Sequence, residues 1–237
     1  MTATTASTKC LVITGASKGI GLAVAVRFAA AGYRVVNLSR SPTPLPGAVH
    51  INVDLGQPAA LESIAQTLGE AVAGAETLAV VHNAALQIPG GVGVLLPSQL
   101  RAMFEIGVAA PLQLNQWLLP HLSSGSSIVY IGSTLSVRAT RHMAGYATVK
   151  HAVLGLMRST CQDLAGTGVH TCCVCPGFTD TEMLRQYGGD ALQHLAALST
   201  QKRLISPAEI ADFVHFAATH PVVNGATLNA DLGFIEP

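Results

Sequence analysis

The run Cys10-Leu11-Val12-Ile13 is a short apolar segment of strand type that stops at Thr14-Gly15-Ala16-Ser17-Lys18-Gly19-Ile20-Gly21, and a helical pattern follows from about Ile20 to Ala31. Strand, glycine turn and helix in immediate succession open a βαβ unit. Gly15 permits the tight turn, Gly19 lets backbone approach a phosphate, and Gly21 lets the helix pack close to the strand. Free N–H groups at the helix start then face that phosphate. The spacing is Gly-x-x-x-Gly-x-Gly rather than the more general Gly-x-Gly-x-x-Gly.

The rest of the chain repeats the alternation. Strands are expected near 9–14, 33–38, 49–53, 77–82, 127–132, 170–175 and 226–230, and helices near 19–31, 58–73, 98–122, 146–165 and 207–218. Such a pattern implies an α/β fold, a doubly wound parallel sheet of about seven strands with helices on both faces. Its 237 residues suffice for one sizeable core, so residues 9–237 are expected to form a single domain after a polar tail at 1–8. Hydrophobic residues make up 49% and charged residues 11%, with formal net charge zero. That balance favours heavy burial, subunit contacts included, and argues against a nucleic acid or an anionic membrane as partner. The stretch between Glu105 and Arg138 lacks Asp, Glu, Lys and Arg, yet Pro111, Asn115, Pro120, His121 and the serines of 123–127 interrupt it, so a buried helix, turn and strand are expected rather than a membrane span. Met1–Thr8 lacks the basic and apolar regions of a signal peptide, which makes the cytoplasm the expected location.

Five cysteines fit no disulfide framework. Cys172-Cys173-Val174-Cys175 and nearby His170 fall in an interior strand whose side chains alternate between faces, so they read as small core residues and no metal site is expected. Tyr146 and Lys150, at i and i+4 on a helix, share one face. A phenol is a poor acid or base near neutrality, and an ammonium within about 4–6 Å favours its phenolate form. Ser133, thirteen residues upstream of the tyrosine, has a hydroxyl able to donate to a carbonyl or alkoxide oxygen while the tyrosine moves the proton. The trio therefore suits a carbonyl/alcohol pair.

Taken in order, the glycine turn, Asp54-Leu55, His82-Asn83-Ala84-Ala85, Ser133, Tyr146, Lys150, Pro176-Gly177-Phe178-Thr179-Asp180-Thr181 and Asn224-Gly225-Ala226-Thr227-Leu228-Asn229-Ala230-Asp231 resemble the motifs of the short-chain dehydrogenase/reductase family, from about Lys9 to Leu232. The resemblance implies a Rossmann-like sheet, an oxidoreductase with Ser133, Tyr146 and Lys150 as catalytic residues, and a dinucleotide held by Gly15, Ser17, Lys18, Gly19, Ile20 and Gly21. It places Asp54 and Leu55 at the adenine, Asn83 and Ala84 beside the ribose, and Pro176, Gly177, Thr179 and Thr181 against the nicotinamide. Lys150 is also implied to bind the nicotinamide ribose. Enzymes of this type that use NAD carry an acid after the second strand. Here Ser39-Arg40 follows it, and with Lys18 the pair of cations implies NADP(H). Ser41-Pro42-Thr43-Pro44-Leu45-Pro46-Gly47 replaces a common helix with an extended loop.

Gln87, His142 and Met143 are candidates for the substrate mouth. Residues 182–203 are the expected lid, with Met183, Leu184, Tyr187 and Leu192 as its apolar face and Gly188-Gly189 as its flexible point. The expected substrate is a ketone or secondary alcohol with an apolar portion. The helices at 98–122 and 146–165 are the expected contact of a homotetramer or homodimer. His82, in place of an asparagine, and Ala85, in place of a glycine, depart mildly from the family; Gly107 departs more, occupying the place of an asparagine that helps hold a water on the proton path from the lysine. It reads either as a kink or close packing point, or as room for a water. A catalytically impaired nucleotide-binding sensor or scaffold of the same fold is the alternative function.

Overall fold

The structure, a computed structural model, describes residues 9–234; the polar tail at 1–8 lies outside the described residues. Seven parallel strands form one sheet in the order β3-β2-β1-β4-β5-β6-β7. They are β1 Lys9–Thr14, β2 Arg34–Ser39, β3 Val49–Asn52, β4 Thr77–His82, β5 Ser127–Ile131, β6 His170–Pro176 and β7 Thr227–Ala230. The helices are α1 Gly19–Ala30, α2 Pro58–Glu62, α3 Ala65–Val72, α4 Pro97–Phe104, α5 Ala110–Leu118, α6 Ala144–Asp163, α7 Glu182–Arg185, α8 Gly189–Ala197 and α9 Pro207–Thr219. The strand order reverses between β1 and β4, and in such a sheet the crevice at the strands' C-terminal ends is where ligands bind. Strand side chains split into two cores. Val12, Leu38, Val80 and Ile128 meet α3, α5 and α6 on one face, whereas Leu11, Ile13, Val81 and Val174 meet α1 and α9 on the other.

Two expected helices are broken. The one at 58–73 divides between Glu62 and Ala65, where Ser63 Oγ donates back to the Ala60 carbonyl at 2.7 Å. The one at 98–122 passes through a π-helical turn, Glu105–Ala109, between α4 and α5, and ends in a 3₁₀ turn, Leu119–His121. Pro111 lacks the N–H that would bond the Gly107 carbonyl four residues earlier, and Gly107 itself is a weak helix former, so this is where the regular ladder widens. Residues 41–48 contain no regular element, as three prolines at alternate positions require.

Candidate active site

Gly15 and Gly19 adopt φ values of 73° and 57°, left-handed conformations that side chains resist. At Gly21 distance is the constraint: a Cβ would stand 2.1 Å from the Gly15 carbonyl oxygen and 2.5 Å from Asn83 Nδ2. Asn83 clamps this turn. Its Nδ2 donates to the Thr14 and Gly15 carbonyls at 3.0 Å, while its own N–H and that of Ala84 donate to Thr14 Oγ1 at 2.9 Å. From β2, Asn37 Oδ1 accepts from the Ala16 N–H at 2.9 Å, and its Nδ2 donates to Ser39 Oγ at 2.9 Å. The first N–H groups of α1 have no side-chain cap, so a fixed, glycine-lined turn presents open donors and the positive end of a helix to the crevice. That is a fit for a diphosphate.

Ser133 follows β5 and caps the 3₁₀ turn Thr134–Ser136: its Oγ accepts from the Leu135 N–H at 3.2 Å, and its own N–H donates to Ser136 Oγ at 3.1 Å. Across the crevice α6 carries Tyr146 and Lys150 one turn apart on one face. Lys150 is 5% exposed. Its Nζ donates to the Ile131 carbonyl at 2.7 Å and stands 5.5 Å from the centre of the Tyr146 ring. A buried ammonium is costly unless it is held by acceptors, and this pairing fixes it between the end of β5 and the tyrosine.

Gly15, Gly19, Gly21, Asn83, Ala84, Ser133, Tyr146 and Lys150 line one cavity of about 1270 Å³, together with Ser17, Lys18, Ile20, Ser39, Arg40, Asp54, Leu55, Gln87, Met143, Pro176, Gly177, Thr179, Thr181, Met183 and Tyr187. His142 does not join them. Its φ is 63° and its carbonyl accepts from the Gly90 N–H at 2.7 Å, and with the backbone so held it lines a separate outer hollow beside Gly91, Val92 and His151. Lys18 Nζ lies 2.5 Å from Glu182 Oε2 in an exposed pair that joins the start of α1 to α7. A Cβ on Gly107 would come within 2.6 Å of Val149 Cγ1, so the space a side chain would need there is taken by α6. Of the two readings of Gly107, close packing is the one this contact supports.

His82 turns away from Asn83, as adjacent strand residues do. Its Nε2 donates to Asn115 Oδ1 at 2.7 Å, and Asn115 Nδ2 donates to the Tyr130 hydroxyl at 2.7 Å. Burial pushes the His82 pKa down to about 4, against the bond to Asn115, so the ring is neutral. Several contributors were not singled out in the sequence: Asn37 beneath the turn, and Leu135, Arg138, Phe178, His194 and Phe234 in the cavity wall. Arg138 lies 5.1 Å from the Phe234 ring centre, and Phe178 and Phe234 are 5.8 Å apart. Arg138 had a signal, being the first charge after the uncharged stretch and five residues past Ser133. Phe234 had none, because only the tertiary fold returns the chain's end to the crevice.

The profile of the short chain dehydrogenase family matches residues 9–191. The chain is 31% identical over 239 residues to 2-(R)-hydroxypropyl-CoM dehydrogenase of Xanthobacter autotrophicus, covering 93% of this chain and 96% of that protein. It is 26% identical over 229 residues to the 3-oxoacyl-[acyl-carrier-protein] reductase MabA of Mycobacterium tuberculosis, covering 95% and 92%. Among solved structures, a short chain dehydrogenase from Burkholderia cenocepacia in complex with NADP superposes with a TM-score of 0.84 at 26% identity, over 96% of this chain and 98% of that one.

Proposed function

Because the chain belongs to the short-chain dehydrogenase/reductase family, we propose that it is an NADP(H)-dependent oxidoreductase interconverting a ketone and a secondary alcohol. The observation that carries this reading is the convergence of Ser133, Tyr146 and Lys150 on the same cavity as the glycine turn. NADP(H), when bound, supplies or accepts the hydride. Tyr146 gives its phenolic proton to the carbonyl oxygen in reduction and takes it back in oxidation, and the Ser133 hydroxyl donates to that oxygen. The Lys150 ammonium stabilises the phenolate and binds the nicotinamide ribose. Gly15, Ser17, Gly19, Ile20 and Gly21 hold the diphosphate, Asp54 and Leu55 the adenine, Asn83 and Ala84 the ribose, and Pro176, Gly177, Thr179 and Thr181 the nicotinamide.

Lys18, Ser39 and Arg40 bind the 2′-phosphate. The Lys18–Glu182 pair is exposed on both sides, and such pairs contribute only about 0–1 kcal/mol, so a phosphate displaces the carboxylate readily. Residues 182–203 act as a lid. Met143, Phe178, Met183, Tyr187, Leu198 and Phe234 give the substrate end of the cavity an apolar wall, which selects a ketone with an apolar portion, and Gln87 adds a polar contact. Assembly is a cytoplasmic homotetramer or homodimer, supported by Phe104, Leu112 and Leu119, exposed at 42%, 46% and 41% along the α4–α5 segment; a monomer by light scattering refutes it. No helix among the described residues is long and apolar enough to cross a membrane. The decisive experiment follows NADPH fluorescence with a panel of ketones and diketones. Oxidation of NADPH with at least one of them is the expected result, and binding without oxidation by any of them identifies a sensor instead.

A further inference from the structure

β6 presents Cys173 and Cys175 on one face because side chains alternate along a strand. Both are fully buried, and their sulfurs are 3.8 Å apart. They press directly on the backbone before Ser133: a Cβ on Gly132 would stand 2.7 Å from Cys173 Sγ and 2.8 Å from both Cys175 Sγ and Ser136 Oγ. Carbonyl chemistry uses neither thiol. Their surroundings also differ from those of the other core cysteines, since burial pushes Cys10 up to about 11 and Cys172 up to about 12. Around Cys175 the Cys173 thiol, the Ser133 N–H and the Ser136 hydroxyl all donate toward the sulfur, and Lys150 adds positive charge; against burial these hold its pKa at about 7. The hydrogen bond with Cys175, and then burial, hold Cys173 well above the usual thiol range.

We propose that Cys173 and Cys175 form a site of oxidative modification, a dithiol that a hydroperoxide converts to a disulfide, and that this disulfide slows turnover by dislodging the turn that carries Ser133. The Cys175 thiolate attacks the peroxide, forming an S–O bond as the O–O bond breaks, and the departing alkoxide or hydroxide takes the Cys173 proton. The Cys173 thiolate then attacks the Cys175 sulfur, forming the S–S bond, and the released hydroxide takes a proton from solvent. Two thiols and one hydroperoxide thus give one disulfide, one alcohol or water, and one further water. Two residues along a parallel strand span about 6.6 Å, inside the Cα separation of roughly 4.4–6.8 Å that a disulfide accepts but near its limit. The bond is therefore strained and readily reduced. The Cys173 N–H bonds the Ala226 carbonyl beside β7, an edge strand of the sheet, so the contraction draws on a strand paired on one side only. Gly132 and Ser133 line the large cavity, leaving a single layer of backbone between the thiols and an entering peroxide. Once oxidised, Cys175 no longer accepts as an anion from the Ser133 N–H and the Ser136 hydroxyl, the two groups that shape the Ser133 turn.

The consequence for turnover rests on the reading of Ser133 as catalytic, whereas the oxidation does not, and the test separates them. Protein carrying Cys161→Ser, which removes the partly exposed thiol, and the same protein with Cys173→Ala are treated with hydrogen peroxide, alkylated under denaturing conditions and digested. In the first, the peptide holding both cysteines is expected to lose about two mass units and resist alkylation, turnover to fall at least about fivefold, and dithiothreitol to reverse both. In the second, that mass loss is absent and oxygen adds to Cys175. A pair that stays open to alkylation, or a Cys175 that gains oxygen without forming a disulfide in the first protein, overturns the proposal. A disulfide that leaves turnover unchanged overturns its link to Ser133. The mass readout stands even if no ketone oxidises NADPH, a result that refutes the proposed activity alone.

Discussion

Replacing Gly107 with alanine tests how the chain joins α4 and α5 to α6. In an open helix the change gains about 1 kcal/mol, since alanine is the better helix former. Here the new methyl meets Val149 Cγ1 at 2.6 Å, about 1 Å inside the roughly 3.5–4.0 Å at which two carbons attract. Val149 is 4% exposed and β-branched, with one strongly preferred rotamer on a helix, so the helices must part instead. Overpacking a core costs about 1–3 kcal/mol, and an overlap this deep against a fixed side chain belongs near the top of that range. With the helix gain subtracted, the expected net loss is about 2 kcal/mol. It is read from the urea midpoint at fixed protein concentration, with the slope unchanged. Val149→Ala removes the obstructing methyl groups, so the double variant is expected to show a coupling of at least about 1 kcal/mol. Because Val149 precedes Lys150, kcat falls as well. Stability equal to or above that of the parent, or strict additivity in the cycle, refutes the contact.

Tyr146→Phe is expected to lower kcat at least about tenfold while NADPH still binds by fluorescence, because the ring packs but has no proton to transfer; greater residual turnover assigns the proton to another group. The unmodified protein should prefer NADP(H) over NAD(H) by at least about tenfold, or roughly 1.4 kcal/mol, and Arg40→Asp should invert that order; equal kcat/KM for both cofactors in the unmodified protein excludes the roles given to Lys18 and Arg40. The folded-state pKa of His82 lies below that of the unfolded chain, so its contribution is complete above about pH 6.5 and is lost as pH falls toward about 4. The drop amounts to roughly 3 kcal/mol, seen as a decline in urea midpoint that His82→Gln flattens; an unchanged slope in that variant would falsify the assignment.

Much of the fold was legible because each element carries a local signal. Apolar runs of β1, β4 and β6 stop at glycine or polar residues, and Ser206 with Glu209 forms a capping box at α9. The helix expected over 98–122 broke because its periodicity continues through Glu105–Ala109, while the π turn arises from Gly107 and from the bond that Pro111 cannot make. At the site, the glycine turn and the Tyr146–Lys150 spacing are short-range patterns and could be read directly. His142 could not be placed, because its orientation depends on a left-handed backbone held by Gly90 from another segment. Asn37 likewise looks like an ordinary strand residue until the turn after β1 comes alongside and supplies the Ala16 N–H.

Two of the departures from the family pattern, His82 and Gly107, have different consequences because they face different parts of the fold. His82 and Asn83 are neighbours in sequence, but His82 turns into the buried network of Asn115, Tyr130 and Thr160, while Asn83 keeps three bonds to Thr14 and Gly15 on the crevice side. Substituting the first position therefore leaves the glycine turn's clamp in place. Gly107 is tied to α6 through Val149, which lies between Tyr146 and Lys150. An asparagine restored at position 82 would test only the packing around Asn115 and Tyr130, whereas one restored at position 107 would press on Val149 between Tyr146 and Lys150, the residues proposed to move and tune the proton. For that reason an asparagine cannot simply be returned to position 107: the space it would need has been given to Val149, and the two positions have to change together.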